Sequence, residues 1–321
     1  MTDVHRTGAA RRPWGSCVRQ RPGATWLRRL AAAAAWVAML LAAGAAPAAA
    51  PDAAKPEPVA AKPAPGALAP GALAPGALAP GAQKAVFNDS PEEMQKLAAR
   101  DPLEFLRVAL KWSDEQVLDY TCRFQKQEKI GGTLAKTETM QMKFRAKTFS
   151  VYLKWVGDVS TGQEVLYVEG ANDGKVAAHP SGILGFLFHK VMLDPAGKTA
   201  LKHSRRPVTF AGMANMLRLG IPQCERAKAN GDLTLTYEGL RDLEGRPTYV
   251  FKRVLPQKDD YPCPVLILYV DRQFMVCVRT DAYDWDGTLL SQYIYSDLKI
   301  NPGLTDADFD PDNRDYGFRL F

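Results

Sequence analysis

Cys122, Cys224, Cys263 and Cys277 are the most reactive residue types in the body of this sequence, and none has the CxxC neighbour that a zinc site or thiol-redox centre requires. In an exported protein one disulfide would be compatible with them. Cys263 with Cys277 is the tempting pair, but the hairpin register derived below sets Cys277 opposite Leu266. The expectation is four buried thiols acting as small hydrophobes. His179, His189 and His203 stand near Asp194 without the i, i+4 spacing of a helical metal site, so they read as ordinary histidines. Asp308, Asp310 and Asp312 open like a calcium loop, yet the sixth position is Asn313 and the last is Arg319. They read as a solvated acidic tail. Ser181, in HPSGILG, lacks the GxSxG setting of an activated nucleophile. Glu128, Glu164 and Asp281 could work as paired acid and base only if the fold gathered them, and as strand residues they are expected at the surface. No GxGxxG or GxxxxGK[ST] run cradles phosphate. The sequence therefore offers no catalytic residue, no metal and no cofactor.

Charge narrows the partners. Of the formal net charge of +6 in 321 residues, all is carried by residues 1–50, where seven arginines stand against Asp3 alone. The neutral remainder removes the electrostatic reason to expect nucleic acid. The arginines precede an apolar, alanine-rich run, Leu30 to Ala46, and then Pro47-Ala48-Ala49-Ala50, the layout of a secretory signal. An uncleaved anchor is the alternative. Residues 51–86 are rich in Ala, Pro and Gly and repeat PGALA from Pro65, Pro70 and Pro75, which reads as an extended tether. Residues 87–321 then form a single domain, placed in the periplasm or cell envelope.

The elements of that domain follow from period and turn chemistry. Ser90-Pro91-Glu92-Glu93 and Asp101-Pro102-Leu103-Glu104 are two helix starts, with Pro at the first helical position. Tyr120, Cys122 and Phe124 alternate with polar residues, so a strand runs from there to Gly131-Gly132. With Lys147-Thr148 as a hairpin loop, Phe144 faces Val151, Met142 faces Leu153 and Met140 faces Trp155, gathering six apolar side chains on one face. Another hairpin turns at Asn172-Asp173-Gly174. Ser181 to Leu193, SGILGFLFHKVML, keeps neither period and reads as a buried loop or short helix. A helix is expected from a Thr209 cap to Leu219, ended by Gly220 and Pro222. Strands resume at Asp232 to Leu240 and Thr248 to Leu255.

The best-specified stretch is Val265 to Asn301, read as three antiparallel strands with turns at Asp271-Arg272 and Asp286-Gly287. Two-residue loops would set Val265, Ile267 and Tyr269 opposite Val278, Val276 and Phe274, with Leu266 and Leu268 opposite Cys277 and Met275. Both faces would then be apolar, which calls for helices on one side and core or a greasy cavity on the other.

DYTCRFQKQE, MKFRAKTFSVYLKWVG, EVLYVEG and YDWDGTLLSQYIYSDLKIN together resemble a family of exported bacterial proteins, of planctomycete type, known as a domain of unknown function. The resemblance covers about Pro102 to Phe318. More distantly, Tyr283 to Gly287 and its strands are similar to the LolA/LolB/RseB lipoprotein-carrier superfamily. That likeness implies an α+β fold, a curved antiparallel half-barrel sheet wrapped around a few helices. It also implies a non-enzymatic carrier of a lipid, acyl chain, other apolar ligand or lipoprotein. Met140, Met142, Phe144, Val151, Leu153 and Trp155 are the residues expected to line its cavity, with SGILGFLFHKVML as a lid. The alternative is an envelope protein-interaction or stress-sensing module whose inner face is packed.

Overall fold

The computed structural model describes Phe87 and residues 90–319; the leader and the tether lie outside the described residues. The chain enters through two helices, α1 (Pro91–Arg100) and α2 (Pro102–Gln116). Asp101 caps the second by accepting the Glu104 N–H at 3.0 Å, while Ser90 turns its hydroxyl to Glu92 instead of the backbone.

Seven strands follow: β1 (Asp119–Ile130), β2 (Thr133–Leu134), β3 (Glu138–Arg145), β4 (Ser150–Trp155), β5 (Glu164–Val168), β6 (Val176–His179) and β7 (Val191–Leu193). A short helix, α3 (Gly182–Leu187), links β6 to β7, and α4 (Met213–Ala229) follows a strap of short turns. Five more strands close the fold: β8 (Thr234–Leu243), β9 (Arg246–Val254), β10 (Val265–Asp271), β11 (Cys277–Tyr283) and β12 (Leu289–Ile300). All the pairings are antiparallel, in the order β7-β6-β5-β4-β3-β1-β12-β11-β10-β9-β8, with β2 paired to β1.

Two meanders thus meet along β1 and β12, and β7 and β8 are the unjoined edges of an open half-barrel. The strap and α4 carry the chain from one edge to the other across the inner face. Alternation places Tyr120, Cys122, Phe124, Met140, Met142, Val151 and Leu153 on that face with Met213 of α4, Val276 and Tyr295. Beside them, Met94, Phe105 and Leu106 of the first helices, with Leu217 and Ile221 of α4, cover Tyr249, Phe251, Leu268 and Val270. Phe105 lies 4.8 Å, ring centre to ring centre, from both Tyr249 and Phe251.

The hairpin β3-β4 has the expected register, Phe144 with Val151, Met142 with Leu153 and Met140 with Trp155. The hairpin β10-β11 does not. Met275 adopts φ 49 and donates to Asp271, while Asp271 pairs with Val276, so the loop is 272–275 and not Asp271-Arg272. Val265 consequently faces Tyr283, and Leu266 faces Ala282. Asp271 itself fixes the longer loop, accepting the N–H groups of Gln273 and Phe274. The outer side of β11 is correspondingly mixed: Arg279 pairs with a buried Asp281 and stacks on Tyr269.

The expected stop of α4 also fails. The helix runs through Gly220 and Pro222 because its buried face, Leu217, Ile221, Cys224 and Ala227, continues past them; this packing outweighs the missing N–H of an internal proline. Its start is set by Gly212, not Thr209.

Candidate functional site

The inner face of β1, β3 and β4 brings all six sequence-selected residues together. Met140 and Met142 are 1% exposed, Val151 is 0%, and Phe144, Leu153 and Trp155 are 7%. What lies over them is the end of the strap. Gly212, at φ 120, comes so close to the Phe144 ring that an added Cβ would stand 2.8 Å from its Cε2 atom, so both conformation and contact require glycine there. The Tyr120 ring stacks on Phe144 at 4.6 Å, and its hydroxyl accepts the Met213 N–H at 3.2 Å, tying the start of α4 to the sheet.

Beyond Trp155 the same face turns polar. Glu128 is 2% exposed and accepts from the Tyr293 hydroxyl and, at 3.1 Å, from the Arg205 backbone N–H. Lys126 Nζ sits 3.5 Å from Glu128, 3.4 Å from Glu138 and 3.2 Å from the His203 carbonyl. The Trp155 indole donates to Glu138 at 2.6 Å. Burial, and then Glu128, push the Tyr293 hydroxyl well above its ordinary range, keeping it a proton donor. Two of these bonds land on residues 203–205, so the network latches the strap over the mouth of the half-barrel.

The carboxylates expected at the surface are buried instead. Glu128, Glu164 and Asp281 are each 2% exposed, because each has its own cation: Lys126, Lys154 and Arg279. Glu164 further accepts the Gly317 N–H of the C-terminal tail. With separate partners they do not form an acid–base pair. The four cysteines are free and buried, but Cys277 pairs with Val270 and not with Leu266. His179 donates from Nδ1 to the His189 carbonyl, and their rings are 6.1 Å apart, while Asp194 holds the Ala196 N–H. Asp308 ties the tail to Lys143 at 2.8 Å and caps a turn with Thr305, rather than standing in solvent. The tail lays Phe309, Tyr316 and Phe318 on the outer face against Tyr152 and Leu166.

The lid segment departs most from expectation. Apart from Gly185, residues 181–193 are not buried: α3 exposes Ile183 (79%), Phe186 (79%) and Leu187 (62%), and Phe188 and Met192 follow at 42% and 37%. Gly185 is the buried residue of α3, and a Cβ there would run into the Pro180 carbonyl and the His179 ring, so there is no room for a side chain. Two surface hollows lie elsewhere, one of about 470 Å³ beside Val265, Ile267 and Trp285, the other of about 420 Å³ beside Arg246, Ile294 and Leu298. Neither is lined by any of the six inner-face residues.

With this geometry in place, the chain can be set beside known proteins. The family model described as "Protein of unknown function (DUF1571)" matches residues 117–318, and the chain belongs to that family. No curated protein matches it. Among solved structures it is similar to the Mycobacterium tuberculosis lipoprotein LppX, at 14% identity over 65% of this chain and 100% of that one, with a TM-score of 0.40. A chain of the Pseudomonas aeruginosa MucA/MucB complex matches at 12% identity over 65% of this chain and 60% of that one, TM-score 0.40. A LolA superfamily protein of Nitrosomonas europaea matches at 11% identity over 64% and 97%, TM-score 0.26.

Proposed function

We propose that this DUF1571 protein is a non-enzymatic binding protein of the cell envelope that works by surface contact, with its half-barrel serving as a packed scaffold. The observation that carries this reading is the closure of the inner face: all six residues expected to line a cavity are at most 7% exposed, in one cluster with Met213 of α4. An interior at this burial holds side chains at crystal-like density. The binding element is then the apolar segment 182–192, displayed at the β7 edge. Retention of an acyl chain on Met140, Met142, Phe144, Val151, Leu153 and Trp155 would instead require the strap to lift from Phe144 and Glu128.

Leu153→Trp decides between the two. Overpacking a filled core lowers stability by about 1–3 kcal/mol. The expected outcome is a lower melting midpoint for the variant, and a parent protein that brings no lipid through purification by native mass spectrometry. A lipid-bearing parent whose variant melts normally but loses the lipid overturns the packed-scaffold reading.

A further inference from the structure

We propose that residues 182–206 form a membrane-docking element that seats the protein on a bilayer surface rich in anionic lipid. This rests on the reading of segment 182–192 as the binding element and names its partner. Three observations carry it.

The first is orientation. Gly185 is buried, and a side chain there would run into the Pro180 carbonyl, while Ile183, Phe186 and Leu187 are exposed. The helix thus packs on the end of β6 through its glycine, and its apolar side chains at 183, 186 and 187 are left in solvent. The apolar surface is therefore held outward by packing. The second is charge. Between Ser181 and Arg206 the only acid is Asp194, against Lys190, Lys198, Lys202, Arg205 and Arg206, all five exposed. Residues 51–321 are neutral as a whole, so the rest of the body is acidic by the same amount and would be held off an anionic surface. The third is side-chain type. Protein-binding hot spots are enriched in Trp, Tyr and Arg and poor in Leu, and protein interfaces as a whole are depleted of Lys. Residues 182–192 contain no Trp, Tyr or Arg, and combine Ile, Leu, Phe and Met with Lys190. Apolar residues flanked by lysines are what an interfacial element needs, with the side chains among the acyl boundary and the ammonium groups at the headgroups. The six-residue α3 rises roughly 9 Å along its axis, far short of a span.

The test is co-sedimentation of the full-length protein with vesicles of phosphatidylcholine alone or mixed with phosphatidylglycerol, at low and high salt. Three proteins are compared: the parent, a Phe186→Ser/Leu187→Ser double variant, and a Lys190→Glu/Lys198→Glu double variant. The parent is expected to sediment with the phosphatidylglycerol vesicles and to release them at high salt. The apolar variant should lose binding, and the charge variant should bind roughly tenfold more weakly or worse, both with parental melting midpoints. If the parent stays in the supernatant, or if both variants sediment like the parent, the proposal falls; in the latter case another stretch, such as residues 1–50, carries the attraction. Native mass spectrometry of protein recovered from the vesicles separates the two readings. Lipid retained inside the protein refutes the packed scaffold, whereas no binding and no retained lipid refutes only the docking element.

Discussion

Phe144 and Phe186 are the same residue in opposite circumstances, 7% and 79% exposed. Phe144 belongs to a strand whose partners on both sides place apolar residues on one face, and Gly212 of the strap arrives to cover it. Phe186 belongs to a six-residue helix between two short strands and stands 79% exposed. The comparison teaches that burial here follows cross-strand pairing and not apolar content, since 181–193 is among the most apolar stretches of the body. A segment so apolar that a fold nevertheless holds outward marks a contact surface more than a core.

The comparison is sharpest at Phe144. Phe144→Ala removes a ring stacked on Tyr120 and edge-on to Phe149, 5.5 Å away, and leaves a void beneath Gly212. The expected cost is about 3–5 kcal/mol, the range of Phe-to-Ala changes in cores, read by chemical denaturation. A loss below about 1 kcal/mol would mean that the strap does not seal this face and that the inner residues are free for a ligand.

A smaller effect comes from pH. Burial pushes the Cys277 thiol up to about 12 from 9.0, and raises Cys122, Tyr120 and Tyr295 as well. Each of these groups ionises more readily in the unfolded chain. The stability they contribute is therefore fully present below about pH 9, the thiol's unfolded value, and falls as pH rises toward 12. Melting midpoints should hold steady near neutrality and drop between pH 9 and 11, with a shallower drop in Cys277→Ala. A profile flat to pH 11 would show that water reaches the inner face, and the contrast with the α3 segment would then collapse.

How much of this could be read in the sequence depended on whether the signal was local. The β3-β4 register was legible because six apolar side chains fall on one face for a single choice of loop, and any one-residue slip scatters them. The β10-β11 register was not, because apolar residues fill both phases there and only the Asp271 side chain, bonding two N–H groups ahead, selects the four-residue loop. Helix α4 passes its Gly220 and Pro222 stop signals because its partners on α2 and the sheet lie more than a hundred residues away in part, as with Arg107 and Glu225. For the same reason the burial of Glu128, Glu164 and Asp281 was hidden. Alternation puts a carboxylate on a face but does not reveal the lysine or arginine waiting there, nor that Arg205 and Gly317 come back to bond two of them. The six inner residues share one face and one cluster in the register that the loop choice implies; the exposure of α3 is not legible, because hydrophobicity without period does not say which way a segment faces.

The smallest expected effect is also the one that bears most on function. Phe186→Ser changes a side chain 79% exposed, next to Gly185, the buried residue of its helix. Surface substitutions away from caps, cores and buried charges lie within about 0.5 kcal/mol of neutral, so the melting midpoint should match the parent. If Phe186 were instead a loosely seated core residue, serine would cost the transfer energy of a buried ring, about 2 kcal/mol or more, and hydrogen exchange would slow at residues 182–188 in the parent relative to the variant. Equal midpoints, together with equal exchange in solution, would leave Phe186 without a packing role in the free protein, as the proposed docking contact requires.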